Sequence, residues 1–166
     1  MFRVGIAGHR SLDPAAREFV ASACSALIVD AQCGREVAAV SALAEGADTL
    51  FAEAALSCGA NLEIVRPYDG YEREFQTTQQ SRRYSALMNA ANRETRLPFE
   101  TRSTRAYEAA MRYVTDRCCV LLAAWDGTPP RGTGGTADTV RYAESIGRPV
   151  VHLDVIRHRV IVRSAG

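Results

Sequence analysis

The chain has 166 residues, nearly half of them hydrophobic (47%) and 23% charged, with a net charge of +1. That length fits one domain spanning 1–166 with a full core, and the near-neutral charge argues against a nucleic-acid partner. All 20 basic residues are arginine, as a GC-rich coding sequence produces; with no lysine there is neither a Walker A loop nor a Schiff-base lysine for pyridoxal phosphate.

In chain order, residues 3–7 read as a short buried strand ending at Gly8-His9-Arg10. Asp13-Pro14 reads as an N-cap with proline at the first helical position. Apolar residues then recur with helical spacing at Phe19, Val20, Ala23, Leu27 and Ile28. A second strand is expected over 37–43 and a helix over 47–57, stopped at Gly59. NLEIVRP is the third strand, followed by a polar helix over 71–91 and an arginine-rich irregular connection over 92–104. A helix over 105–115 leads into RCCVLLAAW, the fourth strand; a glycine-rich stretch and its helix precede RPVVHLD, the fifth, and RHRVIVR is a candidate sixth at the edge. Short apolar strands alternating with helices predict an α/β fold: a Rossmann-like three-layer sandwich with a mainly parallel sheet of order 3-2-1-4-5 and room for an extra edge strand.

No apolar run approaches the roughly 18 residues of a membrane span, and the N-terminus lacks a signal peptide, so a cytoplasmic location is expected. The five cysteines contain no C-x-x-C pair, which fits free thiols and no metal site. Cys118 and Cys119 are read as small core residues on opposite faces of the fourth strand.

WDGTPPRGTGGTAD, residues 125–138, holds four glycines and two prolines between a strand and a helix. Ligands of open parallel sheets bind beyond the carboxyl ends of the strands, at the topological switch point. The switch here is flanked by this stretch and by Gly8-His9-Arg10. Glycines let backbone N–H groups approach an anion, and the following helix N-terminus favours negative charge. Gly132, Thr133, Gly134, Gly135 and Thr136 therefore read as a phosphate or carboxylate cradle, against the plainer reading of a surface loop. No G-x-G-x-x-G follows the first strand, so a dinucleotide cofactor is not called for and no cofactor is expected.

Further candidates carry two readings each. Arg10 suits a bidentate phosphate contact and His9 a hydrogen bond or acid/base work; both also suit a plain turn. Glu45, Gly46 and Asp48 follow the second strand, where a carboxylate suits ribose hydroxyls, with Asp48 as a helix N-cap the alternative. Trp125 is placed to stack on a base or to close the core. Asp126 suits a sugar hydroxyl or an Asx-turn. Tyr107 is a cleft contact or a core residue. Asp69 and Glu72 read as first-turn charges of the next helix. Arg93, Arg96, Arg102 and Arg105 form a lid over an anion or a solvated loop.

In combination, VGIAGHRSL, SALAEGADTLFAEAAL, GANLEIVRPYDGYEREF, AYEAAMRYV and WDGTPPRGTGGTADTVRYA resemble the bacterial GHR-type proteins of the SLOG superfamily of Rossmann-like domains. That superfamily includes the lonely-guy phosphoribohydrolases and the DNA-processing protein A domain. The resemblance covers nearly the whole chain. It implies binding or sensing of a nucleotide or nucleotide-derived phosphorylated ligand at the loop 127–136, and a homodimer. The alternative it implies is N-glycosidic cleavage or transfer on a nucleoside monophosphate, with Asp138 and Glu45 as candidate carboxylates. Lonely-guy enzymes carry P-G-G-x-G-T-x-x-E; aligned on Gly135-Thr136, the glutamate position is Thr139, and Asp138 lies one residue early, about 100 degrees around the helix.

Overall fold

The computed structural model describes residues 1–129 and 135–163. Seven strands form one sheet: β1 (Phe2–Gly8), β2 (Val37–Ser41), β3 (Asn61–Arg66), β4 (Arg93–Arg96), β5 (Val120–Trp125), β6 (Val150–Asp154) and β7 (Arg159–Arg163). Their spatial order is β4-β3-β2-β1-β5-β6-β7, parallel except for β7, which pairs antiparallel with β6. The five central strands carry the expected order, with β5 and β6 as the fourth and fifth in the earlier count. β2 and β6 are buried at every position, as strands covered on both faces must be.

Helices α1 (Pro14–Ala31), α2 (Ala47–Ser57) and α3 (Thr78–Ala90) cover one face; α4 (Thr104–Arg117) and α5 (Thr136–Ser145) cover the other. The first face buries Val4 and Ile6 of β1 against Val20, Ile28 and Phe51; the second buries Ala7 and Leu121 against Ala110, Val114 and Val140. Alternation along β1 divides the two cores. Asp13 caps α1, its carboxylate accepting the Ala16 N–H at 2.8 Å, with Pro14 at the first helical position.

Three expectations change. The connection over 92–104 is not wholly irregular, because RETR pairs parallel with β3 as β4. Its four polar residues conceal it as an edge strand: Arg66 reaches across to Glu94 (3.2 Å). The helix expected over 71–91 is split into a 3-10 turn, Tyr71–Glu74, and α3. Thr77 accepts the Gln80 N–H and the Gln80 side chain accepts the Thr77 N–H, a capping box that starts α3 there. Cys118 and Cys119 precede β5 instead of alternating along it; Cys118 is buried, and burial pushes its thiol up to about 12.

Among the described residues, no helix is long and apolar enough to cross a membrane. The chain runs outward from β1 to β4 and returns to β5, so the switch point lies between β1 and β5, paired at Gly8 and Ala124.

Candidate functional site

At that switch point a cleft of about 580 Å³ opens beyond the carboxyl ends of β1, β2, β3 and β5. Gly8, His9, Arg10, Asp48, Tyr107, Trp125, Asp126, Gly135 and Thr136 all line it.

The β1–α1 loop is clamped in place. His9 N–H donates to the Ala124 carbonyl (2.9 Å), and the His9 carbonyl accepts the Ala47 N–H (3.1 Å). Any side chain at Gly8 would meet Ala47 and, at 2.9 Å, the Ala124 carbonyl. Gly46, at φ 93, is the α2 N-cap and packs on the backbone of His9 and Arg10, so it shapes the loop without lining the cleft. The residues Gly8, Gly46 and Ala47 thus form one close junction that fixes the direction of Arg10.

Arg10 reaches from this junction across the cleft. Its guanidinium lies 5.0 Å from the Tyr107 ring centroid and 3.7 Å from Glu74 Oε2, and it remains half exposed. Glu74 is the hub behind it. The Tyr68 and Tyr107 hydroxyls both donate to its Oε1, the latter at 2.9 Å, and Arg102 lies 3.4 Å away. Burial opposes the charge on Glu74, but these hydrogen bonds and the two arginines outweigh it and hold the carboxyl below its ordinary range.

Opposite stands the start of α5. Gly135, Thr136 and Ala137 line the cleft, and among the described residues no side chain caps the helix. α4 also begins at the cleft with Thr104, but Ser103 Oγ caps it by accepting the Ala106 N–H (3.1 Å). The dipoles of both helices point positive ends at this space. Gly132, Thr133 and Gly134 lie outside the described residues.

The β5 end serves the loop. Asp126 Oδ1 accepts the Thr128 N–H (3.0 Å) and hydroxyl (2.7 Å), the Asx-turn alternative. The Thr128 N–H leads the effects that hold the Asp126 carboxyl below the usual carboxylate range. The Asp126 N–H donates to His9 Nε2 (3.3 Å), tying the two loops. Trp125 is 4% exposed, packs on His152 with centroids 3.9 Å apart and donates to the Thr128 carbonyl, so it closes the core edge.

Asp48 is 2% exposed, in the first turn of α2, on the cleft floor. It is not the N-cap, which is Gly46. Its Oδ2 faces the Ala44 N–H (3.4 Å) and the Ser41 hydroxyl (3.5 Å). Burial pushes its carboxyl up to about 7, against the opposing pull of Ala44, Arg10, Ala42 and Ser41.

The two carboxylates named for N-glycosidic cleavage sit elsewhere. Glu45 pairs with Arg83 (3.6 Å), and Asp138 borders a separate groove of about 340 Å³ between α4 and α5, 3.6 Å from Arg141. Of the arginine-rich segment, Arg102 reaches the cleft's Glu74, while Arg96 pairs with Glu94 at the sheet edge (3.3 Å). Tyr71, Thr104, Met111 and Thr128 also line the cleft, with Glu74 behind them. The sequence signal for Tyr71 and Glu74 is the dense YDGYEREF run just past β3.

No family model matches the sequence, and no curated protein matches it. Solved structures do. DNA processing protein A from Helicobacter pylori, described for its single-stranded DNA binding mode, is 18% identical over 91% of this chain with a TM-score of 0.65. DNA processing protein A from Streptococcus pneumoniae is 20% identical over 95% of this chain with a TM-score of 0.66. A molybdenum cofactor binding protein from Rippkaea orientalis is 12% identical over 91% of this chain and 75% of its own, with a TM-score of 0.55. The chain spans 64% and 55% of the two DNA processing proteins.

These likenesses correct the expected partners. The expectation of a nucleotide-like small molecule with nucleic acid unlikely, drawn from net charge, is overturned by the likeness to DNA processing protein A, a protein described for its single-stranded DNA binding mode. Net charge sums the whole surface, whereas phosphate contact depends on where arginines cluster. The homodimer expectation also finds no support among the described residues and is withdrawn. What the likenesses show is the fold: the chain has the Rossmann-like architecture that it shares with the two DNA processing proteins.

Proposed function

We propose that the chain binds a nucleotide or nucleotide-derived phosphorylated ligand in the cleft between β1 and β5, with the phosphate between Arg10 and the first N–H groups of α5. The observation that carries this reading is the convergence on one cleft of a half-exposed arginine and a helix N-terminus that no side chain among the described residues caps. Free N–H groups and a guanidinium are complementary to a tetrahedral oxyanion in both charge and geometry. Tyr107, whose ring is already engaged by Arg10, offers an aromatic edge for a base or sugar.

Gly135→Asp tests this. Gly135 has φ −90 and ψ 175, open to any residue, and among the described residues a Cβ there meets nothing within 4 Å. An aspartate would cap α5 itself and place its carboxylate where the phosphate belongs. Stability should hold or rise by a few tenths of a kcal/mol. Affinity for a panel of nucleoside monophosphates should fall at least about tenfold, about 1.4 kcal/mol. Unchanged affinity in the folded variant would refute the cradle.

A second reading, single-stranded DNA with its backbone phosphates in the same cleft, is favoured by the two DNA processing protein likenesses. N-glycosidic cleavage has weaker support, because Glu45 and Asp138 do not border the cleft.

A further inference from the structure

We infer that Asp48 is a ligand-coupled proton carrier on the cleft floor, so that an oxyanion bound at Arg10 draws one proton from solvent onto this carboxyl. The inference rests on the cleft being the ligand site.

Three observations support it. First, Asp48 is almost wholly buried and yet borders the cleft, so a bound anion and the carboxylate would share a space of low polarity. Second, the groups facing Asp48 leave it without a strong counter-charge. β2 offers the Ser41 hydroxyl and the loop after it the Ala44 N–H, both at long range. α1 presents Cys24 and the 3-10 turn presents Tyr71, neither of them a cation. Arg10 acts on Asp48 from the β1–α1 loop, but its ion pair goes to Glu74. In the loop before α2, Glu45 lies 3.6 Å from Arg83 of α3, whose guanidinium is held by Glu53. Third, burial pushes the carboxyl up to about 7, so a modest added field changes its proton occupancy near neutrality.

An oxyanion on Arg10 adds a like charge beside Asp48 and neutralises the Arg10 cation, which helps it ionise. Both effects favour the protonated acid, whose O–H can donate to an acceptor oxygen of the ligand. Protonated protein therefore binds better. Affinity weakens as pH rises above about 7, by at most about tenfold per pH unit.

The experiment uses the full chain and two probes whose phosphodiesters do not titrate near neutrality: thymidine 5′-methylphosphate and a short oligothymidylate. Binding is followed by amide NMR between about pH 6 and about pH 8.5, the range over which the two forms of Asp48 exchange. For the wild type, affinity should fall about tenfold or more across that range. For Asp48→Asn it should stay flat, close to the wild-type value at low pH. A slope with the mononucleotide ester assigns a single phosphate as the coupled group; a slope with the oligomer alone assigns a nucleic-acid backbone. A pH-independent wild type, or an equal slope in Asp48→Asn, overturns the inference while leaving the cleft reading intact. Absence of binding at every pH overturns both. If Asp48→Asn does not fold, carbon-detected titration of Asp48 in the wild type decides: its midpoint must rise when probe is bound, and an unmoved midpoint refutes the coupling.

Discussion

Gly8, Arg10 and Glu74 show how single residues build the cleft. Gly8 permits α2 and β5 to close on the same loop, so Gly8→Ala forces a methyl against Ala47 and the Ala124 carbonyl. A cost of about 1–3 kcal/mol, read from denaturant midpoints, is expected, together with displaced His9 and Arg10 amide signals. Glu74→Gln keeps shape but removes the charge that steadies Arg10 and receives two tyrosine hydroxyls. Weaker phosphate binding with little change in the far-ultraviolet spectrum is expected; unchanged binding would show that Arg10 needs no such support. Asp48 also leaves a signature on stability. Its folded-state value of about 7 exceeds the ordinary 3.8, so the folded state holds the proton more tightly. That contribution is full below about pH 4 and is lost as pH rises through about 7, by at most about 1.4 kcal/mol per unit. Asp48→Asn should therefore gain on the wild type as pH rises across this window, and a constant difference would show that Asp48 does not titrate there.

At the scale of elements, the strands buried on both faces were legible in the sequence, and so were NLEIVR and the exposed but apolar edge strand RVIVR. VAAVS, VLLAAW and VVHLD leave no polar alternative to the sheet interior, and the turns between strand and helix followed from Gly8, Asp13-Pro14 and Gly59. β4 was not legible because RETR satisfies an edge position through backbone pairing and Arg66–Glu94 contact, neither of which needs apolar residues. The site divided in the same way. Residues beyond strands at the switch point could be listed from topology alone, which is why Gly8, Arg10 and Asp126 were named. Glu74 was not, because its partners Tyr68, Tyr107, Arg10 and Arg102 come from four places in the chain and meet only in the fold. The edge origin of β4 has a consequence: its amides should exchange with solvent well ahead of those of β1 and β5, by hydrogen-exchange NMR. Equal protection would make β4 part of the cooperative core.

For the whole molecule, a net charge of +1 coexists with a cleft whose positive features are local: Arg10, Arg102 and two helix N-termini. Long-range steering of a polyanion is therefore modest, while contact-range attraction is not. Salt dependence separates the candidate ligands, since a polymer releases several counterions and a mononucleotide few. The most direct test of the central claim is an amide NMR titration of the full chain with a panel of nucleoside monophosphates. The amides of Gly8, His9, Arg10, Gly135, Thr136 and Ala137 should shift together along one saturating curve, lost in Gly135→Asp. Saturable shifts confined to the α4–α5 groove around Arg112, Asp138 and Tyr142, with the Gly8 and Gly135 amides unmoved, would contradict it.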